Sequence, residues 1–373
     1  MLRKLTSLLL IMLMIFSTAT LADANTFLEN LNVETNQKIV NVITQLDSAK
    51  ELSSVKKVHD FDGNEYTVVE CAPEGYLIYN TETQIIMEYS LEGQSPYHNC
   101  EGDLRYCGPS RYYYAAPNQE YKHTILGYEL SSEAVLTAKD ISKNAQRVFA
   151  TANTKTDNAA CMRMDNPNSI QATTTYIGNN KSFFTNLNDK NKVGYYVPPN
   201  TNGICGYIAS GIVLLYYDYC LNKNYINSDF LNSAGNAFKD NSFTRHLYED
   251  IGVSGLGYSS ATNASQIAQI MKTYLSVDKG ISVTTWVGWM PSVSDIIYQL
   301  QNRQIPVVYV DRFYDPRKTD NSTVDHDIVV YGYDTNNNLH THFGWVGSQY
   351  TDVVCSSPAS AAFVSSACAI TYY

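Results

Sequence analysis

The chain has 373 residues, 44% of them hydrophobic, and a formal net charge of −10. That is enough apolar material for two or three domains with sizeable cores. The acidic balance, with no cluster of Lys and Arg, argues against nucleic acid as a partner, because phosphate binding needs concentrated positive charge.

Residues 1–24 have the form of a secretory signal peptide. Arg3 and Lys4 make a positive start, residues 8–16 a short apolar core, and Ala22-Asp23-Ala24 a small-x-small cleavage site. The apolar run is too short to span a bilayer, and no second run of spanning length follows. The expectation is a secreted protein with no stable membrane insertion once the signal is removed. Export permits disulfides. Of the eight cysteines, Cys100 with Cys107 and Cys355 with Cys368 each close a short loop and are the expected pairs, with Cys161 and Cys220 as a third. No Cys-x-x-Cys or His-x-x-x-His pair occurs, so zinc is not expected, and no other metal or cofactor is implied.

Along the chain, residues 25–50 carry Leu28, Leu31, Val33, Ile39, Val40, Val42, Ile43 and Leu46 at helical spacing. From residue 51 to about 130 the period changes. Tyr66-Thr67-Val68-Val69-Glu70-Cys71, Gly75-Tyr76-Leu77-Ile78-Tyr79 and Gln84-Ile85-Ile86-Met87-Glu88-Tyr89 predict antiparallel strands separated by turn residues. The pattern fades after Val148, and residues 150–168 read as a linker. The division expected is therefore a signal peptide (1–24), a strand-rich N-terminal region (25–165) and a second domain (166–373).

The second domain is organised around Cys205. A loop, Pro198-Pro199-Asn200-Thr201-Asn202-Gly203, ends two residues before it. The run that follows, from Gly206 to Tyr217, is long and apolar enough for a helix buried nearly all round. A thiol at a helix N-terminus faces unpaired backbone N–H groups and the positive end of the macrodipole, both of which favour the nucleophilic thiolate. Further helices are predicted over 265–275 and 293–303. Strands are predicted over 305–310, over 326–333 and over 339–345, the last two joined by Asp334-Thr335-Asn336-Asn337-Asn338 as a hairpin.

A nucleophilic thiol needs a base, and the base needs a group to orient it. His326 opens an apolar strand after a polar loop and is the candidate base. His342 lies across the hairpin and is the candidate orienter, and Trp345 follows as a shield against water. His340 shares the face of His342 by period two and is a rival for its role. His59, His98, His123 and His246 lie in polar contexts and are expected at the surface. Cys205 as a plain buried thiol, or paired with Cys220, is the competing reading.

These parts resemble the papain-like cysteine peptidases, and among them the bacterial streptopain type. The family has an early buried helix opened by the nucleophilic Cys, a later strand of the form His-x-x-x-x-x-Gly-Tyr-Asp, a short hairpin, and an Asn-Trp-Gly-Trp-Gly-like segment. This chain has Cys205, then His326 with Gly332-Tyr333-Asp334, then His342-Phe343-Gly344-Trp345-Val346-Gly347 at the family's spacing. The match covers roughly residues 190–350. Two positions depart from it. His342 stands where the family has the orienting Asn, and Pro199 stands where it has the Gln that donates to the oxyanion, leaving Asn200 or Asn202 as candidate donors.

The resemblance implies an α+β papain-like domain, with the nucleophile's helix packed on an antiparallel sheet, preceded by a strand-rich propeptide. It implies a secreted endopeptidase made as a zymogen, acting on proteins or peptides through a Cys205 thioester, with its own N-terminal region as intramolecular inhibitor. A binding or surface protein that keeps the fold without activity, and a Cys-His acyltransferase or amidase, are the alternatives.

Overall fold

The computed structural model describes residues 33–371 apart from 126, 128, 133–134, 137, 141, 144, 148–161, 167–169, 171–174, 188–203, 259–262, 303–306, 312–325, 346, 358–359 and 361–365. The signal segment, Asn200, Asn202 and Cys161 lie outside the described residues. Among the described residues, no helix is long and apolar enough to cross a membrane.

The N-terminal half begins with α1 (Val33–Leu46), which buries Ile39, Val42 and Ile43 on one face. Next comes an antiparallel meander of β1 (Glu51–His59), β2 (Glu65–Ala72), β3 (Tyr76–Asn80) and β4 (Ile86–Ser90). Period-two alternation sends Val69, Leu77 and Tyr79 into a core with α1, and Tyr66, Val68, Tyr76 and Ile78 into a core on the opposite face. Strands β5 (Asp103–Tyr106), β6 (Tyr112–Ala115) and β7 (Lys122–His123) extend the sheet, β5 lying parallel to β1.

In the second half, β8 (Tyr176–Gly178) and α2 (Lys181–Thr185) precede α3 (Cys205–Leu221). A 3-10 turn (Ser228–Phe230), α4 (Ser242–Arg245) with a π-helical continuation (His246–Gly255), and α5 (Ala264–Lys279) follow. The chain then alternates β9 (Thr284–Trp289), α6 (Val293–Gln301), β10 (Val307–Asp311), β11 (His326–Asp334), β12 (Leu339–His342), β13 (Val353–Cys355) and β14 (Ser366–Thr371). Helices α5 and α6 start with capping boxes, Asn263 with Gln266 and Ser292 with Asp295, which satisfy the first backbone donors. Every residue of α3 from Cys205 to Tyr217 is buried. It packs against β11 and α5, with each large side chain removed from water contributing about 1.5–3 kcal/mol.

All the strands join one mixed sheet in the order β7-β6-β5-β1-β2-β3-β4-β13-β12-β11-β10-β14-β9, with β8 paired to β11. The sheet runs unbroken across the expected boundary between the two halves. The seam is β4 against β13, where Tyr89 pairs with Val354 and Glu88 with Cys355. Residues 162–166, inside the expected linker, also dock here. Met162 and Met164 are buried, and their backbones bond to Ile86 and Gln84. The hairpin turns after β1 and β11 are built alike. In each, an aspartate (Asp60 or Asp334) accepts two backbone N–H groups and the side-chain amide of the asparagine four residues on.

The expected disulfides are corrected: among the described residues, Cys71, Cys100, Cys107, Cys205, Cys220, Cys355 and Cys368 form no disulfide. Cys355 and Cys368 are close in sequence but sit on β13 and β14, with three strands between them. At ~4.8 Å per strand that is far beyond the reach of a disulfide. Cys107 packs in a small core with Tyr113 and Leu130, whereas Cys100 lies against the larger core around Tyr97.

Strand β11 depends on Gly332. A Cβ at that position would run into the ring of Tyr176, which is pinned by its hydroxyl on the carbonyls of Asn179 and Tyr331. Gly332→Ala is expected to lower stability by about 1–3 kcal/mol through overpacking, read as a lowered urea midpoint with unchanged slope.

Candidate functional site

Cys205 is the first residue of α3. Its N-cap, Ile204, has no capping side chain, so no side-chain oxygen competes for the helix's first N–H groups at that residue. The residue is 9% exposed, and its thiol donates to Asp327 Oδ2 at 3.3 Å. Asp327 is the second residue of β11, which packs on α3. Val329 and Tyr331 follow it at period two into the α3 core.

His326 is the neighbour of Asp327 on the strand and therefore faces the opposite way. Ile328 and Val330, on its face, lie in the core that contains Phe343 and Trp345. His326 Nε2 donates to the Phe343 carbonyl at 2.8 Å, and the ring stacks on Trp345 at 4.4 Å between centroids. Nδ1 is buried with no partner among the described residues. Burial lowers the imidazole to about 3, so His326 is neutral here. The structure thus brings Trp345 onto His326 but does not bring His326 to Cys205.

His342 faces α3, because β12 pairs it with Val329. Its Nδ1 accepts the Gly344 N–H at 2.9 Å, which leaves the proton on Nε2, donated to the Leu187 carbonyl at 2.9 Å. Both ring nitrogens are spent on backbone groups, and burial lowers the ring to about 4. In this structure His342 does not orient His326; it ties β12 to the loop after α2, and the register that sends it to α3 is the reason.

His340 donates through Nδ1 to Asp352 at 2.7 Å, and Lys181 pairs with the same carboxylate at 2.6 Å. These partners hold Asp352 well below the ordinary carboxylate range despite its burial. Two histidines expected at the surface are placed elsewhere. His123 is buried beside Trp345, with Nε2 on the Ser110 carbonyl. His246 is clamped between Asp250 and Asp278. Both follow from tertiary packing that their polar sequence neighbours do not reveal.

The residue missed in the sequence is Asp327. The signal was there: in a strand opening His-Asp, only one of the two side chains can face a helix laid on one side of the sheet. Among the described residues no group of three or more metal-ligating side chains assembles. The arrangement offers a nucleophile at a helix N-terminus, a carboxylate in hydrogen-bond reach, and an imidazole one residue away on the other face.

No protein-family model and no curated protein matches the chain. Among solved structures, a prointerpain A fragment from Prevotella intermedia, a cysteine-to-alanine variant, superposes with a TM-score of 0.41 and 11% identity. It covers 86% of this chain and 98% of its own. That likeness is too loose to bear on the site.

Two expectations follow. A carboxylate against the thiol opposes its ionisation, so Asp327→Asn is expected to speed alkylation of Cys205 by iodoacetamide about tenfold near pH 7. Peptide mapping would check it, and an unchanged rate would show that Asp327 does not restrain the thiol. His342 is held neutral below its ordinary value of 6.5, so the unfolded chain binds the extra proton between 6.5 and about 4. Its contribution, about 3 kcal/mol, is present above pH 6.5 and lost as pH falls to about 4. Urea midpoints of His342→Gln against the parent are expected to converge toward the acid end of that window.

Proposed function

We propose that the protein is a secreted cysteine endopeptidase made as a zymogen, and that the arrangement described here is its latent form. The observation that carries the reading is the Cys205 thiol at the N-terminus of a buried helix, with Asp327 in contact and His326 next on the same strand. A change of one residue in the register at which the chain enters β11 exchanges the faces of His326 and Asp327. That exchange would replace a carboxylate by a base beside the thiol. His326 would then take the thiol proton. The thiolate would attack a peptide carbonyl, His326 would protonate the leaving amine, and water would hydrolyse the thioester. The backbone N–H of Cys205 would be one oxyanion donor, with Asn200 or Asn202 the candidates for the other.

The covering of His326 supports latency. Trp345, on which it stacks, is packed by Tyr112 and His123 of the N-terminal strands. In this reading residues 25–165 act as the propeptide and hold the base away from the nucleophile. Proteins or peptides are the substrates.

A second reading is a fold-retaining binding protein without activity. The two spent nitrogens of His342 favour it.

Cleavage of the chain within residues 148–161 is expected to raise the rate of Cys205 labelling by an epoxide or iodoacetamide probe by at least about tenfold. It is also expected to release casein hydrolysis that Cys205→Ala lacks. Equal labelling before and after cleavage would remove the zymogen reading. Labelling without casein hydrolysis anywhere from about pH 4 to 8 would favour the binding protein.

A further inference from the structure

We propose that Glu88 and the three tyrosines around it form a proton-dependent latch that ties the seam strand β4 to β3, β5 and β6 and loosens as pH rises through neutrality. The inference concerns regulation of the same site, and its role in activation rests on the zymogen reading.

Glu88 lies on β4, the strand that makes the seam, and its backbone pairs with Cys355 of β13. The side chain is fully buried. Its carboxyl meets the hydroxyls of Tyr76 from β3 at 3.2 Å, Tyr106 from β5 at 3.3 Å and Tyr112 from β6 at 2.6 Å. The other titratable groups facing the cage are Tyr97 and Tyr350, whose phenols burial pushes up, and the Cys355 thiol. Among the described residues, burial and the three phenols are what act on Glu88. A buried carboxylate with no cation nearby is costly, and a protonated carboxyl satisfies the same cage without that cost. Burial therefore outweighs the three phenols and raises Glu88 to about 7 from an ordinary 4.5.

The sign is fixed by which state holds the proton. Between 4.5 and about 7 the folded chain keeps it and the unfolded chain does not, so stability falls as pH rises across that window. The full effect is roughly 300-fold in the unfolding equilibrium. The buried histidines His123, His326 and His342 act with the opposite sign at the acid end, being lowered to about 4, 3 and 4. The fold is thus weakened in acid by histidine protonation and toward neutrality by Glu88 ionisation. The latch reaches the site because Tyr112 both donates to Glu88 and packs its ring on Trp345, the platform under His326.

The test uses full-length chain carrying Cys205→Ala, which stops self-cleavage, with and without Glu88→Gln. Urea midpoints and tryptic cleavage of the N-terminal half are followed from about pH 5 to 8. The difference between the two chains cancels the histidines. The expected result is that the Glu88 chain loses stability relative to Glu88→Gln by roughly 70-fold between about pH 5 and 8, with cleavage rising in parallel. Parallel curves would overturn the latch. Isotope-edited infrared on the chain with Glu88 retained gives a reading that needs no substitution at the site. A protonated-carboxyl band present at about pH 6 and gone by about pH 8 is expected, and its absence at pH 6 would overturn the latch. If the latch opens while wild-type Cys205 stays unreactive to the probe, the latch stands and the peptidase reading falls.

Discussion

Adjacent residues of a β-strand cannot face the same side of the sheet, and that constraint governs the site. Strand β11 is buried on both faces along its whole length, so nothing at its start is free to compromise. With Asp327 toward α3, the Cys205 thiol has a carboxylate for company and His326 is committed to the opposite core. The neighbouring strands enforce the choice: His326 pairs with Asp311 of β10, and Val329 pairs with His342 of β12. The register that presents Asp327 to Cys205 is also the register that turns His342 to the α3 side and uses up its nitrogens.

The N-terminal half takes part in this arrangement through the sheet itself. Its strands are hydrogen-bonded to β13 and send Tyr112 and His123 against Trp345. The core under β11 is consequently shared: Tyr66, Tyr76 and Tyr106 from the first half and Ile328, Val330 and Trp345 from the second lie in one cluster. Packing at native density transmits strain, so a change at the seam is felt at the strand that carries His326. A segment that merely lay across a finished domain would have no such connection.

Much of the framework was legible in the chain because it rests on local rules. The apolar run after Cys205 became a helix buried nearly all round. The 3.6-residue spacing of Ile39, Val42 and Ile43 became the buried face of α1. Asp334 to Asn338 became a turn closed by its own side chains. The illegible parts rest on long-range register. Period two says that His326 and Asp327 diverge but not which of them meets α3. The polar setting of His123 gives no hint that it ends beneath Trp345. Short loop lengths between Cys355 and Cys368 say nothing of the three strands inserted between them.

Magnitudes decide what keeps His326 in place. Its hydrogen bond to Phe343 contributes about 1 kcal/mol, and the stack on Trp345 about 0.5–1.5 kcal/mol. Against these stands the buried Nδ1, with no partner among the described residues, which costs about 1–3 kcal/mol. The imidazole's own interactions therefore come close to cancelling. What fixes its orientation is the aromatic packing around it, from Tyr112 and His123 through Trp345 to Tyr350. The two N-terminal members of that group are held by strands whose link to the second half is the short β4–β13 seam. An imidazole retained by its surroundings rather than by its own bonds is one that can be released without breaking anything at Cys205.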